Sequence, residues 1–288
     1  MYNSFINTLI DHKKRHIPYS TTLRNWIKNC KKRYTVIEMN EISSKFKTSD
    51  TIFILGSGES INNVTPQQWQ HIRQHDSFGL NFWPLHSFTP TYYHSEYMSN
   101  HQIFNYYIQT VAPHIKKRYR KTLFFISGNR DVTRGIHPRI VPELFPENPS
   151  VCFYTHKEPI RATPEEFSCA SFKKTLFYRG SLTQTLDLMN QADYKKIVMV
   201  GVDLNNHIQF YDQLPEVQWC FETGYRIRPD TENPGIHGTM IPKPNKMTSE
   251  QYIYILNDLY YKPNNIKLYI ASEQSRLAEK IPIYNFTD

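Results

Sequence analysis

The chain of 288 residues has only four cysteines, Cys30, Cys152, Cys169 and Cys220, and no two of them stand at C-x-x-C spacing. That argues against a disulfide framework or a thiolate metal centre and fits a reduced, cytoplasmic setting. No run of about eighteen apolar residues occurs, and no apolar core near Met1 leads to a cleavage site, so neither a membrane span nor secretion is expected. Also missing are H-E-x-x-H, a Walker loop, G-x-S-x-G and a D-x-D after a strand. The stretch Val200–Asn206, "VGVDLNN", carries one carboxylate, Asp203, which disfavours transfer chemistry built on a divalent metal.

A basic groove is lacking as well. The formal net charge is +8, but residues 1–50 hold ten Lys/Arg against four Asp/Glu, so most of the excess lies there. The remaining residues are nearly balanced, and nucleic acid is not an expected partner of the main domain. Within the basic segment Leu23, Trp26, Ile27 and Cys30 fall on one helical face, with Arg24, Lys28, Lys31 and Lys32 elsewhere. Phe5, Ile6, Leu9 and Ile10 precede a second basic cluster. Two readings stand side by side. Residues 1–50 are a helical extension packed on the main domain, or a peripheral anchor on an anionic membrane surface.

What is present from Thr51 onward is alternation. "TIFILG" (51–56), "SFGLN" (77–81), "TYYHS" (91–95), "TLFFIS" (122–127), "VCFYT" (151–155), "KIVMVGVD" (196–203) and "IKLYIAS" (266–272) have strand composition. Helical patterns lie between them. One opens with Thr65 as N-cap, Pro66 first in the helix and Gln68 as reciprocal cap; another spans 181–193; a third opens with the box Thr248–Gln251. Strands alternating with helices predict an α/β fold, a mostly parallel sheet covered by helices on both faces. Residues 205–246 hold five prolines and no clean period, yet are too apolar for a linker, and read as a lid after the strand ending in Asp203.

The turn after the first of these strands, "FILGSGESI", opens like a dinucleotide-binding loop. Gly56 and Gly58 permit close approach to a phosphate or ribose, but Ile61 stands where a third glycine belongs and the helix is expected only near Pro66. The "SFGLN" strand ends in Asn81 where a nicotinamide enzyme places an acid for the ribose, and an amide both donates and accepts. A turn with no ligand explains the glycines equally well, and a turn cap explains Asp203. Of twelve histidines, His237 in "NPGIHG" lies within the lid among glycines, where its ring is accessible; an imidazole titrates near neutrality and suits acid–base work.

Taken together, "FILGSGESI", "SFGLNFW", "YRGSLTQTL", "KKIVMVGVDLNNHIQFYD", "NPGIHG" and "IKLYIASEQSRL" resemble, in order and approximate spacing, the bacterial lipooligosaccharide sialyltransferases. The resemblance runs from about Thr51 to Ile283. It implies a Rossmann-like glycosyltransferase fold over 51–288, a CMP-sugar donor, a glycan acceptor on lipooligosaccharide or capsule, and inverting transfer with no metal or other cofactor. It further implies donor contacts from Gly56, Ser57, Gly58, Asn81, Gly180, Ser181, Gly201, Asp203 and Asn205, with His237 as general base and Tyr211 at the leaving phosphate. The chain departs from the family at Ser57 (an asparagine there), Gly180 (a threonine) and Asn205 (a second tyrosine). Because these positions surround the donor, CMP-linked 3-deoxy-octulosonic acid (Kdo) stands beside CMP-sialic acid as the donor. A pyrophosphokinase-like nucleotide transferase and a non-catalytic membrane or nucleic-acid adaptor are the alternatives. Peripheral attachment at the inner membrane face fits the basic segment, and a homo-oligomer is left open.

Overall fold

In the computed structural model, residues 34–95, 106–127, 145–157, 174–176, 178–215, 217, 237–241, 243 and 246–287 are described. The helical faces read in residues 1–33, and most of the segment read as a lid, lie outside them. The described strands are β1 (Thr35–Val36), β2 (Thr51–Leu55), β3 (Asp76–Leu80), β4 (Tyr92–His94), β5 (Leu123–Ser127), β6 (Ser150–Lys157), β7 (Lys174–Leu176), β8 (Lys196–Val200) and β9 (Lys267–Ile270). Eight form one sheet in the order β1-β6-β5-β4-β3-β2-β8-β9, β7 pairs with the end of β6, and every pairing of named strands is parallel. The helices include α1 (Ile42–Lys45), α2 (Pro66–Ile72), α3 (Ala112–Arg118), α4 (Ser181–Gln191) and α5 (Ser249–Leu256). The α/β class with a parallel sheet is therefore as expected, and no described helix is long and apolar enough to cross a membrane.

The sheet is covered on both faces because its strands are apolar at successive positions. In β2, Ile52 and Ile54 point to one face while Phe53 and Leu55 point to the other, and all four are fully buried. The first face packs against α4 and α5 through Leu186, Leu188, Met189, Ile253 and Leu256. The second packs against α2 and α3 through Ile72 and Ile115. Fully burying one such side chain contributes about 1.5–3 kcal/mol, so the two layers anchor everything above them. Both capping boxes form: Thr65 and Gln68 exchange hydrogen bonds at the start of α2, and Thr248 and Gln251 do so at α5.

Residues 34–50, the described part of the segment read as an extension, pack on the main domain. β1 pairs with β6 at Thr35–Ser150 and Val36–Val151, and Met39 and Ile42 enter the core. Their two lysines stand against Glu38, Glu41 and Asp50, so the basic excess of residues 1–50 lies before Tyr34.

On the second face His86 packs against the rings of both Trp69 and Trp83, at centroid distances of 4.8 and 4.7 Å, and its Nδ1 accepts the Phe88 N–H at 3.1 Å. Burial, with Arg118 and Arg73 nearby, pushes its pKa down from 6.5 to about 4. The folded value lies below the unfolded one, so this neutral ring stabilises the fold fully above pH 6.5 and progressively less as pH falls toward 4. The loss is at most about 3 kcal/mol. Urea midpoints measured from pH 7.5 to 4.5 should fall, and His86→Asn, which keeps an acceptor near the Nδ1 position, should flatten that slope even though it lowers overall stability. An unchanged slope in that variant would show that other groups carry the acid sensitivity.

Candidate functional site

The chain leaves β2 for β3 on one side, while β8 and then β9 lie on the other. The carboxyl ends of β2 and β8 are thus the point where strand order reverses, the place where open α/β sheets form ligand crevices. The loops after β2, β3 and β8 and the start of α4 supply the sequence-predicted site residues.

Gly56, Gly58, Gly201 and Asp203 form one tightly closed unit. The Gly56 N–H donates to the Val200 carbonyl at 2.7 Å and the Gly58 N–H to the Gly201 carbonyl at 2.8 Å. A Cβ on Gly56 would lie 2.3 Å from the Gly201 oxygen, and one on Gly58 would lie 2.3 Å from an Asp203 carboxylate oxygen. Gly201 itself has φ +67°, a conformation that glycine adopts at low cost. Close approach of two protein loops accounts for these glycines before any ligand is considered. The Asp203 carboxylate is buried; one oxygen accepts the Ser60 N–H at 3.0 Å and the other accepts the Ser60 hydroxyl. It thereby holds the 3-10 turn Glu59–Asn63, which begins directly after Gly58, seven residues before the helix start expected at Pro66. Each carboxylate oxygen retains a further lone pair, so contact with a ribose hydroxyl is still open to it.

Ser57 joins this unit through its carbonyl, which accepts the Phe210 N–H at 2.9 Å. Tyr211 is buried beside it, with its ring 5.5 Å from Phe82 and 5.0 Å from Phe210, and its hydroxyl is 3.5 Å from Gln209 Oε1. Asn205 is exposed, and its amide donates to the Gln274 carbonyl at 2.9 Å, drawing it toward the loop after β9.

The second group centres on Asn81. Its backbone is left-handed, with φ +53°, where asparagine is among the better tolerated non-glycine residues. Its N–H donates to the His94 carbonyl at 2.8 Å, its own carbonyl accepts the Tyr93 hydroxyl, and its side-chain amide donates to Ser181 Oγ at 3.1 Å. Ser181 is the first residue of α4, and Gly180 before it has φ 142°. The turn Asn81–Phe82 therefore straddles the sheet edge. Asn81 reaches α4 on one face, and the Phe82 ring reaches Tyr211 on the other.

Arg179, which sequence reading passed over, joins His237 to this group. It too is left-handed, at φ +54°, a strain of about 1–2 kcal/mol for a residue with a Cβ. Its guanidinium donates to the carbonyls of Ile241 at 2.7 Å, Met247 at 3.2 Å and Gly238 at 3.4 Å. Arg179 and Ser181 are two residues apart, so the His237 turn is clamped to the same short stretch whose serine holds Asn81. His237 is half-buried, and its Nδ1 lies 2.9 Å from Thr239 Oγ1 and 3.3 Å from the Thr239 N–H. The backbone contact needs a lone pair on Nδ1, whereas the hydroxyl can either donate to that lone pair or accept from an Nδ1–H. If Nδ1–H donates to Oγ1, Nε2 keeps its lone pair; if Nδ1 accepts the backbone N–H, the proton sits on Nε2. No signal in the sequence marks Arg179 or Ser60, since their partners lie 59–68 and 143 positions away. Among the described residues no three His, Cys, Asp or Glu side chains come together in a metal-binding group.

No protein-family model matches the chain, and no curated protein matches it in sequence. Among solved structures it is similar to the monofunctional alpha-2,3-sialyltransferase Cst-I from Campylobacter jejuni, with 16% identity, 83% of this chain and 82% of that chain covered, and a TM-score of 0.48. It is also similar to the MAf glycosyltransferase from Magnetospirillum magneticum AMB-1, with 13% identity, 89% of this chain but 36% of that one covered, and a TM-score of 0.48.

Proposed function

We propose that this chain is a glycosyltransferase that moves sialic acid or a related ulosonic sugar such as Kdo from a CMP donor to a glycan acceptor, without a metal. The ordered sequence segments support the reading, and one structural observation carries it: the Arg179 clamp ties the turn that bears the half-buried His237 to the stretch of chain whose Ser181 bonds Asn81 at the sheet's carboxyl edge. In this reading Asn81 and Ser181, with Gly180, hold the nucleotide end of the donor. Gly56, Ser57, Gly58, Gly201 and Asp203 form the floor of the crevice and present main-chain groups and a carboxylate edge to the ribose or base.

His237 accepts the proton of the acceptor hydroxyl as that oxygen attacks the anomeric carbon. The bond to the phosphate breaks, and CMP leaves with the electron pair. A nucleoside monophosphate is a competent leaving group, so the protein needs only a base and donors for the growing phosphate charge. Tyr211 and Asn81 are the assigned donors, and Asn205 joins them only by exchanging its bond to Gln274. The segment between Asn205 and Lys246 would close over the donor and exclude the water that would otherwise hydrolyse it. The basic residues near Met1 would hold the enzyme at the inner membrane face, where a lipid-linked acceptor lies.

The test is donor consumption with CMP-sialic acid and CMP-Kdo on a glycan acceptor, with and without EDTA. One of the two donors should be consumed at the same rate with chelator present. A requirement for a divalent ion, or consumption of neither donor, would overturn the reading.

A further inference from the structure

One turn into α4 below Ser181, Gln184 is 2% exposed, and its amide nitrogen is buried with no hydrogen-bond partner. The other end of the same amide is well held: Gln184 Oε1 accepts the Tyr154 hydroxyl at 2.8 Å. Tyr154 Oη in turn lies 3.1 Å from His94 Nδ1. With Tyr154 donating to Gln184, His94 donates to Tyr154, and the three groups form a chain of donors that ends on the open N–H groups of Gln184. Such a chain polarises its last member, which makes that amide a stronger donor.

The location ties this group to the site. The His94 carbonyl accepts the Asn81 N–H, and Asn81 bonds Ser181, so the His94–Tyr154–Gln184 chain lies directly beneath the Asn81–Ser181 pair, on the α4 side of the sheet. Leaving a buried amide donor unmet costs about 1–3 kcal/mol, whereas an apolar residue of the same shape would remove that cost. The unmet donor is thus a cost that a polar partner would remove.

We propose that Gln184 is a specificity contact. Its amide donates to an oxygen of the transferred sugar, a carboxylate or hydroxyl oxygen, while Asn81 and Ser181 hold the nucleotide. The assignment rests on the CMP-sugar reading above and divides the donor between two layers, nucleotide at the rim and sugar below it.

Gln184→Met keeps the unbranched shape and removes both the donor and the acceptor. Calorimetric titration of wild type and variant with CMP, CMP-sialic acid and CMP-Kdo tests the assignment, with thermal melting as a folding control. The expected result is CMP affinity within about twofold of wild type, and at least about tenfold weaker binding of the preferred CMP-sugar, the worth of one buried hydrogen bond to a charged or polar oxygen. Equal loss for CMP and CMP-sugar would place the contact on the nucleotide and overturn the sugar assignment. Unchanged binding of all three would show that Gln184 is a packing residue. Wild-type protein that binds no CMP would overturn the donor reading itself and this assignment with it.

Discussion

On the proposed reading, replacing His237 by alanine should lower kcat for sugar transfer by about 10²–10⁴-fold and leave the donor KM within a few-fold of wild type. That range is what a positioned general base supplies, and a group that acts only as the acceptor hydroxyl is deprotonated affects kcat far more than ground-state binding. The fold should survive the change, because His237 is half-buried and the turn it starts is held independently by Arg179 through the Gly238 and Ile241 carbonyls. Thr239 refines the expectation. Its Oγ1 lies 2.9 Å from His237 Nδ1 and can accept an Nδ1–H as Nε2 takes the acceptor's proton, whereas its N–H at 3.3 Å donates to Nδ1 in the other tautomer. Thr239→Val removes only Oγ1 and should lower kcat in the same direction as His237→Ala and by less, while Thr239→Ser should restore it. Steady-state kinetics on all three variants, with melting curves alongside, checks the assignment. Undiminished kcat in His237→Ala would remove the imidazole from the chemistry.

The architecture was largely legible because it rests on local pattern. Seven apolar runs predicted from composition are strands in the sheet, and both Thr-initiated capping boxes form where their spacing placed them. The strands that escaped notice, Thr35–Val36 and Lys174–Leu176, are two and three residues long. Nothing that short carries a period; they are strands because β6 offers them backbone partners. Met39 and Ile42, in the segment read as an extension packed on the main domain, enter the main core.

The site was legible by residue type and much less so by role. Gly56 and Gly58 drew attention as places for a ligand, yet what a side chain there would strike is the neighbouring loop at Gly201 and Asp203. Asp203 looked available for a ribose, and its carboxylate already receives both donors of Ser60, 143 positions earlier in the chain. Cys152 is equally quiet: it is buried, and burial pushes its thiol up to about 12, well away from nucleophilic use. Asn81 and Ser181, 100 positions apart, do meet. What the sequence could not show is the Arg179 clamp, because it runs to three main-chain carbonyls, and carbonyls carry no residue identity.

Nucleotide binding at Asn81 is the claim on which the rest depends, and calorimetric titration of CMP into wild type and Asn81→Gly tests it most directly. Glycine keeps the left-handed backbone at φ +53° and removes only the amide that reaches Ser181, so the fold is spared while the contact is lost. CMP should bind wild type more tightly than ATP with magnesium does, and Asn81→Gly should weaken CMP binding by about tenfold or more, the equivalent of roughly 1.4 kcal/mol. Wild-type protein indifferent to CMP, or a variant that binds it as well as wild type, would contradict the account.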